Sequence, residues 1–239
     1  YHGLGAQADA ITHYLNRGSI LDLGCGTGQS SYYLAQAGFD VTGFDFSSRF
    51  INYAKEKYKD IKFRQGDVEK SGLPDNNFDA VFAYNTLEHF TDLEKSLIEM
   101  ARIIKVGGLI IIQSPNLLST KLPLSAIKKG GMTFEGEKDF LNLIWMAFLN
   151  TAKLFSKSIL KKGKIELRKP NYNYSFPDND ATNYANPIDF KVILEKIDMR
   201  IVLYQKFDYL SDEKSIWQKI LASLCPSAMS IIRIVAQKK

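Results

Sequence analysis

Cysteine and histidine are both scarce in this 239-residue chain, which has two of the first and three of the second. Cys25 and Cys225 are far apart and His2, His13 and His89 are scattered, so no spacing suits a metal site and none is expected. Two thiols make no disulfide framework, and such sparing use suits a reducing cytoplasm. Long apolar runs are also missing from the segment where they would matter. Around Trp145 the longest uncharged run, Phe140 to Ala152, is 13 residues, against the ~20 that a bilayer-spanning helix requires. That stretch is excluded as a membrane span. No secretory signal is visible, although the chain opens on Tyr1 rather than Met.

An excess of one charge is lacking in the first half and present in the second. Residues 1–115 carry 11 basic and 14 acidic side chains, a net of −3. Residues 116–186 carry 11 and 6, a net of +5, so the positive balance of the whole chain lies in its later part. A basic cap beside an active site favours an anionic substrate or surface; a solvated lysine-rich face is the plainer reading.

What is present is an alternation of strand and helix patterns. A short amphipathic helix is expected over 6–16, with Ile11, Tyr14 and Leu15 on one face. Ser19–Leu23, Val41–Phe44, Ile61–Arg64, Phe78–Tyr84 and Leu109–Gln113 read as successive strands. Helices fall between them, to Ala37, from Ser47 or Ser48 to about Tyr58, and from Leu93 to Ile104. The run Leu109–Gln113 is nearly all apolar, as a strand buried on both faces should be. Such alternation implies right-handed crossovers and a parallel, doubly wound α/β sheet. Regularity fails over 116–186 and returns with a helix from Pro187 and strands at Ile201–Phe207 and Ile231–Ala236. The domain is therefore expected to comprise 1–115 and 187–239, with 116–186 an inserted cap after the fifth strand.

Chemistry-bearing residues collect where strands end. Gly24, Cys25, Gly26 and Gly28 lie in a turn between the first strand and its helix, where backbone can approach a ligand and helix-start amides are free. The dinucleotide fingerprint wants a sixth-position glycine, where Gln29 stands here. Asp22, just ahead of the turn, suits a ligand with an ammonium group better than one with a pyrophosphate. Asp45 ends the second strand, where a carboxylate can accept from both hydroxyls of a ribose. Asp67 follows the third and can accept from an adenine amino group, with Val68 and Phe46 packing the ring faces.

The segments ILDLGCGTGQSSYYLAQAGFDVTGFDFSS, GDVEKSGLPDNNFDAVFAYNTLEHF and GGLIIIQSPN resemble the class I S-adenosylmethionine-dependent methyltransferases of the small-molecule type 11/type 23 groups. The resemblance covers roughly 19–115 closely and 187–239 loosely. It implies a Rossmann-like, seven-stranded sheet of order 3-2-1-4-5-7-6, with the last strand antiparallel. It also implies that Asp22 and the Gly24–Gly28 loop hold the methionine part of S-adenosylmethionine, with S-adenosylhomocysteine as product. Asp45 would take the ribose, Asp67 and Val68 the adenine, and Asn85 would line the site. Families that methylate base amines resemble one another in an Asn/Asp-Pro-Pro-aromatic motif after the fourth strand. This chain has Asn85-Thr86-Leu87-Glu88 instead, which disfavours nucleic acid and leaves an O-, C- or simple N-acceptor on a small molecule or a glycan- or lipid-linked precursor.

His89 is the best-placed candidate base, since its titration range suits proton transfer, although packing is the commoner role for a lone histidine. Over 138–162 the polar residues Lys138, Asp139, Asn142, Asn150, Lys153, Lys157 and Lys161 share one helical stripe. That helix is expected to pack its apolar side on the domain. The alternatives are that it lies over the active site, pairs with another subunit as a homodimer, or rests on a membrane with its lysines toward head groups. Two rival functions stand beside methyl transfer: a nicotinamide-dependent oxidoreductase and a non-catalytic S-adenosylmethionine-binding module.

Overall fold

The computed structural model describes residues 11–118, 139–160, 167, 181–184, 186–207 and 231–239. Its strands are β1 (Ser19–Leu23), β2 (Asp40–Asp45), β3 (Lys62–Gln65), β4 (Phe78–Tyr84), β5 (Ile104–Pro115), β6 (Met199–Phe207) and β7 (Ile231–Lys238). They form one seven-stranded sheet of order β3-β2-β1-β4-β5-β7-β6. Strands β1 to β5 pair in parallel, and β7 runs antiparallel between β5 and β6. The expected order and the antiparallel last strand are both present.

Register explains why the sheet needs cover on both sides. Leu21, Val81 and Ile110 are aligned across β1, β4 and β5 and join one core cluster. Their predecessors Ile20, Ala80 and Leu109 are likewise aligned and join the other. Because side chains alternate between faces at a period of two, one strand feeds both cores. The first core is closed by α3 (Leu93–Ile103) and α5 (Pro187–Lys196), through residues such as Leu97, Met100, Phe190 and Leu194. The second is closed by α1 (Gln29–Gln36) through Leu34, and by Ile11 with Tyr14 and Leu15 against it. The shared face of those three is as expected, but the helix predicted to run to residue 16 is corrected: helical structure ends at Thr12 and a turn follows, while 6–10 lie outside the described residues.

Helix ends follow local chemistry. Ser47 caps α2 (Ser48–Lys57) by accepting from the Phe50 amide, and Asp92 caps α3 by accepting from that of Lys95. Pro187 occupies the first turn of α5, and Asn186 accepts from the amides of Ile188 and Asp189.

From residues 116–186, α4 (Phe140–Leu160) is the one helix described, and here the expected orientation is corrected. Leu143, Ala147 and Leu154 are buried, but so is Lys157, one of the supposed head-group lysines. Its Nζ lies 2.9 Å from Asp189 Oδ2 on α5, and Asn186 Nδ2 donates to that same oxygen at 2.7 Å. The polar stripe therefore supplies part of the inward face, because a buried carboxylate awaits it there. Leu141, Trp145, Phe148, Phe155 and Ile159 point outward. No helix among the described residues is long and apolar enough to cross a membrane.

Candidate cofactor site

The site grows from the carboxyl ends of β1, β2, β3 and β4, which are neighbours in the sheet. After β1 the chain turns through Gly24–Gly28. The amides of Gly24 and Cys25 both donate to the Phe44 carbonyl, at 2.7 and 3.2 Å, and so tie the turn to β2. Gly24 has φ +70°, and a Cβ there would stand 2.0 Å from Thr86 Oγ1. Only glycine lets the β4 loop press against this turn. Gly26 has φ +52°, and a Cβ there would meet nothing within 4 Å. The backbone at Gly26 thus faces open space.

Asp22 ends up beneath the turn, only 1% exposed. Its Oδ2 accepts from Ser30 Oγ at 2.6 Å and Ser31 Oγ at 2.5 Å, which lashes the first turn of α1 to β1. Burial pushes its carboxyl up to about 6; the two serine hydroxyls oppose that rise and the nearby Asp45 charge adds to it. Asp45 is half-buried, and each of its oxygens is aimed by a backbone amide. Gly26 N donates to Oδ2 at 2.9 Å, and Ser47 N donates to Oδ1 at 2.8 Å. The loop and the second strand are thereby locked into one unit.

The third tip is looser. Asp67 is exposed and caps a short 3-10 turn, accepting from Glu69 N at 2.9 Å. Of the two residues expected to flank a ring, Phe46 is 76% exposed at the rim, whereas Val68 is buried in the first core. Cys25 turns its thiol into a cluster with Ile51, Ala54 and Phe63, and burial drives that thiol far above its ordinary range. Cys25 thus shapes the turn from below while its amide serves Phe44.

Beyond β4, Asn85 takes φ +46°, a conformation asparagine tolerates, with its amide on the Gln113 carbonyl at 2.8 Å. A 3-10 turn, Leu87–His89, follows. Glu88 is fully buried; its Oε2 accepts from Ser114 Oγ at 3.1 Å, and its Oε1 lies 3.8 Å from His89 Nε2. Asn183 Nδ2 donates to the carbonyls of Leu87 and Phe90, both at 2.8 Å, and Thr182 N donates to that of Glu88 at 2.8 Å. The distant segment around Asn183 thus clamps the turn carrying His89. Sequence reading had missed Glu88, Ser114, Thr182 and Asn183. Only Glu88, an acid adjacent to the candidate base, offered a signal. Among the described residues no cluster of three or more His, Cys, Asp or Glu could hold a metal ion.

Residues 21–112 match the family model described as a methyltransferase domain. This is a class I S-adenosylmethionine-dependent methyltransferase domain. It is similar to a demethylmenaquinone methyltransferase of Renibacterium salmoninarum, 39% identical over 39% of each chain. It is also similar to a fatty-acid O-methyltransferase of Mycolicibacterium smegmatis, 33% identical over 45% of this chain and 39% of that one. The chain spans about two fifths of the length of these curated relatives. In fold, the chain superposes on an S-adenosylmethionine dependent methyltransferase from Mesorhizobium loti with a TM-score of 0.65. That pair is 15% identical, covering 98% of this chain and 96% of the other.

The donor set of the methyltransferase domain fits its family's cofactor. S-adenosylmethionine presents a cationic sulfonium, an ammonium group and a ribose diol, all of which seek acceptors. The strand tips offer three carboxylates, at Asp22, Asp45 and Asp67. A pyrophosphate, doubly anionic, would meet Asp22 and Asp45 at close quarters instead.

Proposed function

We propose that this chain transfers a methyl group from S-adenosylmethionine to an O-, C- or simple N-atom of a small apolar or lipid- or glycan-linked acceptor. The observation that carries this reading is the locked unit of Gly26 and Asp45 beside the buried Asp22. In it, Asp22 and the glycine turn hold the methionine end, Asp45 the ribose hydroxyls, and Asp67 the adenine amino group. Phe46 covers the ring from the rim, and Asn85 lines the floor. When bound, the cofactor supplies a methyl group already activated on sulfur. The protein's share is then mostly alignment, which can be worth about 7–11 kcal/mol of barrier.

His89 takes the acceptor's proton, with Glu88 orienting the imidazole and stabilising its charge. The clamp by Thr182 and Asn183 couples that turn to the inserted segment, so the cap at 116–186 meets the acceptor. The demethylmenaquinone and fatty-acid relatives support an apolar acceptor and a metabolite-sized target rather than nucleic acid. The free, buried Cys25 suits work in the cytoplasm.

Incubating the chain with methyl-labelled cofactor and separated lipid and metabolite extracts tests this. Label should appear in an extracted organic product and fall at least tenfold for His89→Ala. Label confined to the cofactor, with every extract inert, would overturn the reading.

A further inference from the structure

The turn that carries His89 does little to hold itself in place. Leu87–His89 is a single 3-10 turn, with His89 N donating to the Thr86 carbonyl at 3.0 Å and Phe90 N to that of Leu87 at 3.2 Å. Thr86 gives it no side-chain cap, and the hydrogen-bond geometry of 3-10 turns is poor. Its position is imposed from outside.

Two adjacent residues, 92 to 96 positions away in sequence, impose it. Asn183 Nδ2 donates to the carbonyls of Leu87 and Phe90, one before His89 and one after it, both at 2.8 Å. Thr182 N and Asn183 N donate to the Glu88 carbonyl between them, at 2.8 and 3.2 Å. Thr182 Oγ1 adds a bond to the Phe90 carbonyl at 3.2 Å. A primary amide suits this task, since one nitrogen carries two N–H donors. The arrangement also has a cost. Asn183 is fully buried, and its Oδ1 meets no donor among the described residues. Burying an acceptor unpaired lowers stability, so the fold alone does not explain the choice of asparagine.

The same segment belongs to the inserted region. Ala181 is buried with Leu117, and Tyr184 packs against them. Lys153 Nζ of α4 lies 5.2 Å over the Tyr184 ring. Residues 181–184 thus join the start of the insertion, α4 and the His89 turn.

We propose that Asn183 is a positioning residue for methyl transfer: by fixing the carbonyls on either side of His89 it aims the imidazole at the acceptor. The inserted segment then sets the base as well as meeting the acceptor. Asn183 acts through the backbone of the turn, and the inference rests on the reading of His89 as the base.

The test compares Asn183→Asp with the parent chain, using methyl-labelled cofactor and the extract fraction that takes label. An ionised aspartate keeps the shape of the side chain but has no N–H to donate. Labelling at saturating cofactor should slow about tenfold, part of the roughly 10²–10⁴ that a placed base supplies. Affinity for S-adenosylhomocysteine should stay within about twofold. In a His89→Ala background the same substitution should change the rate by less than about twofold, because an absent base cannot be misplaced. In protein carrying isotope-labelled histidine, the ring signal that His89→Ala removes should move on Asn183→Asp, while those of His2 and His13 stay. Thr182→Val, close in shape and keeping both backbone amides, should shift rate and signal the same way by a smaller factor, and it serves where Asn183→Asp fails to fold. A parent-like rate in the Asn183 variant, an equal deficit with and without His89, or a His89 signal that ignores both substitutions overturns the proposal and leaves the base standing. A His89→Ala chain as fast as the parent, or label in no fraction, overturns the base and this inference with it.

Discussion

Asp22 would serve the fold and the proposed ligand at opposite cost. Removing its charge from water lifts its carboxyl from 3.8 to about 6, so the ionised form costs about 3 kcal/mol at neutral pH. The folded state holds this proton more tightly than the unfolded one. Its contribution to stability is therefore complete below about pH 4 and is lost as pH rises toward 6. The ammonium group of the cofactor, which the demethylated product keeps, reverses the preference in the reading proposed, since it pairs only with the carboxylate. Affinity for S-adenosylhomocysteine should be flat above pH 6 and fall about tenfold per unit below it. Asp22→Asn should melt no lower than wild type at pH 7 yet bind weakly at every pH. A flat affinity profile from pH 7 to 5 in the parent chain would remove Asp22 from the cofactor's partners.

Gly24 makes a sharper prediction at the same scale. A methyl group there would overlap Thr86 and force a residue with a Cβ into positive φ, which costs on the order of 1–2 kcal/mol before any clash. Gly24→Ala should lower the melting temperature and reduce cofactor affinity together. Adding Thr86→Gly should recover part of both, because the same void is reopened. No recovery in the double variant would show that the turn is constrained by something other than Thr86.

At the scale of elements, α4 is held to α5 by a buried ion pair rather than by apolar contact alone. Breaking one half of such a pair strands a charge and typically costs about 3–5 kcal/mol, whereas replacing both halves by apolar groups is often neutral. Asp189→Ala should thus destabilise strongly in urea titrations. Lys157→Met combined with Asp189→Leu should recover most of the loss, although Asn186 would then need a new partner. Equal losses in both variants would mean that Asn186 and the helix cap, not the charges, carry the joint.

This joint was also the least legible element in the sequence. A polar stripe on a helix ordinarily means water, and nothing near Lys157 announces an aspartate 32 residues later. Strand positions were far easier to read. β1 and β4 fall where alternation and apolar runs place them, because buried parallel strands have few other ways to read. β5 begins five residues earlier than its apolar run, since Ile104 already pairs with Phe78 before the register shifts. The acids and glycines of the candidate site were legible as residues at strand ends, which is where the structure places them. The site's second layer, Ser30, Ser31 and Asn183, was not, because that layer exists only once distant segments meet.

At the scale of the whole molecule, charge is segregated along the chain. Residues 1–115 carry a net of −3 and residues 116–186 a net of +5. The cofactor site we propose draws its carboxylates from the first stretch, and the acceptor cap we propose is the second. Variants on the outward face of α4 should leave cofactor affinity within about twofold of wild type, as distant sites with no shared partners do.

The grip of the strand tips on the adenosine and amino-acid parts of one cofactor, which its demethylated product keeps, is the claim on which the rest depends. Calorimetric titration of the chain with S-adenosylhomocysteine, set beside Asp45→Ala and beside NAD, measures it directly. The account predicts saturable binding to wild type, none to NAD, and affinity about 10- to 100-fold weaker for Asp45→Ala, from the ~1.5–3 kcal/mol of a charge-assisted hydrogen bond. No heat of binding to folded wild-type protein, or an Asp45→Ala affinity equal to wild type, would contradict it.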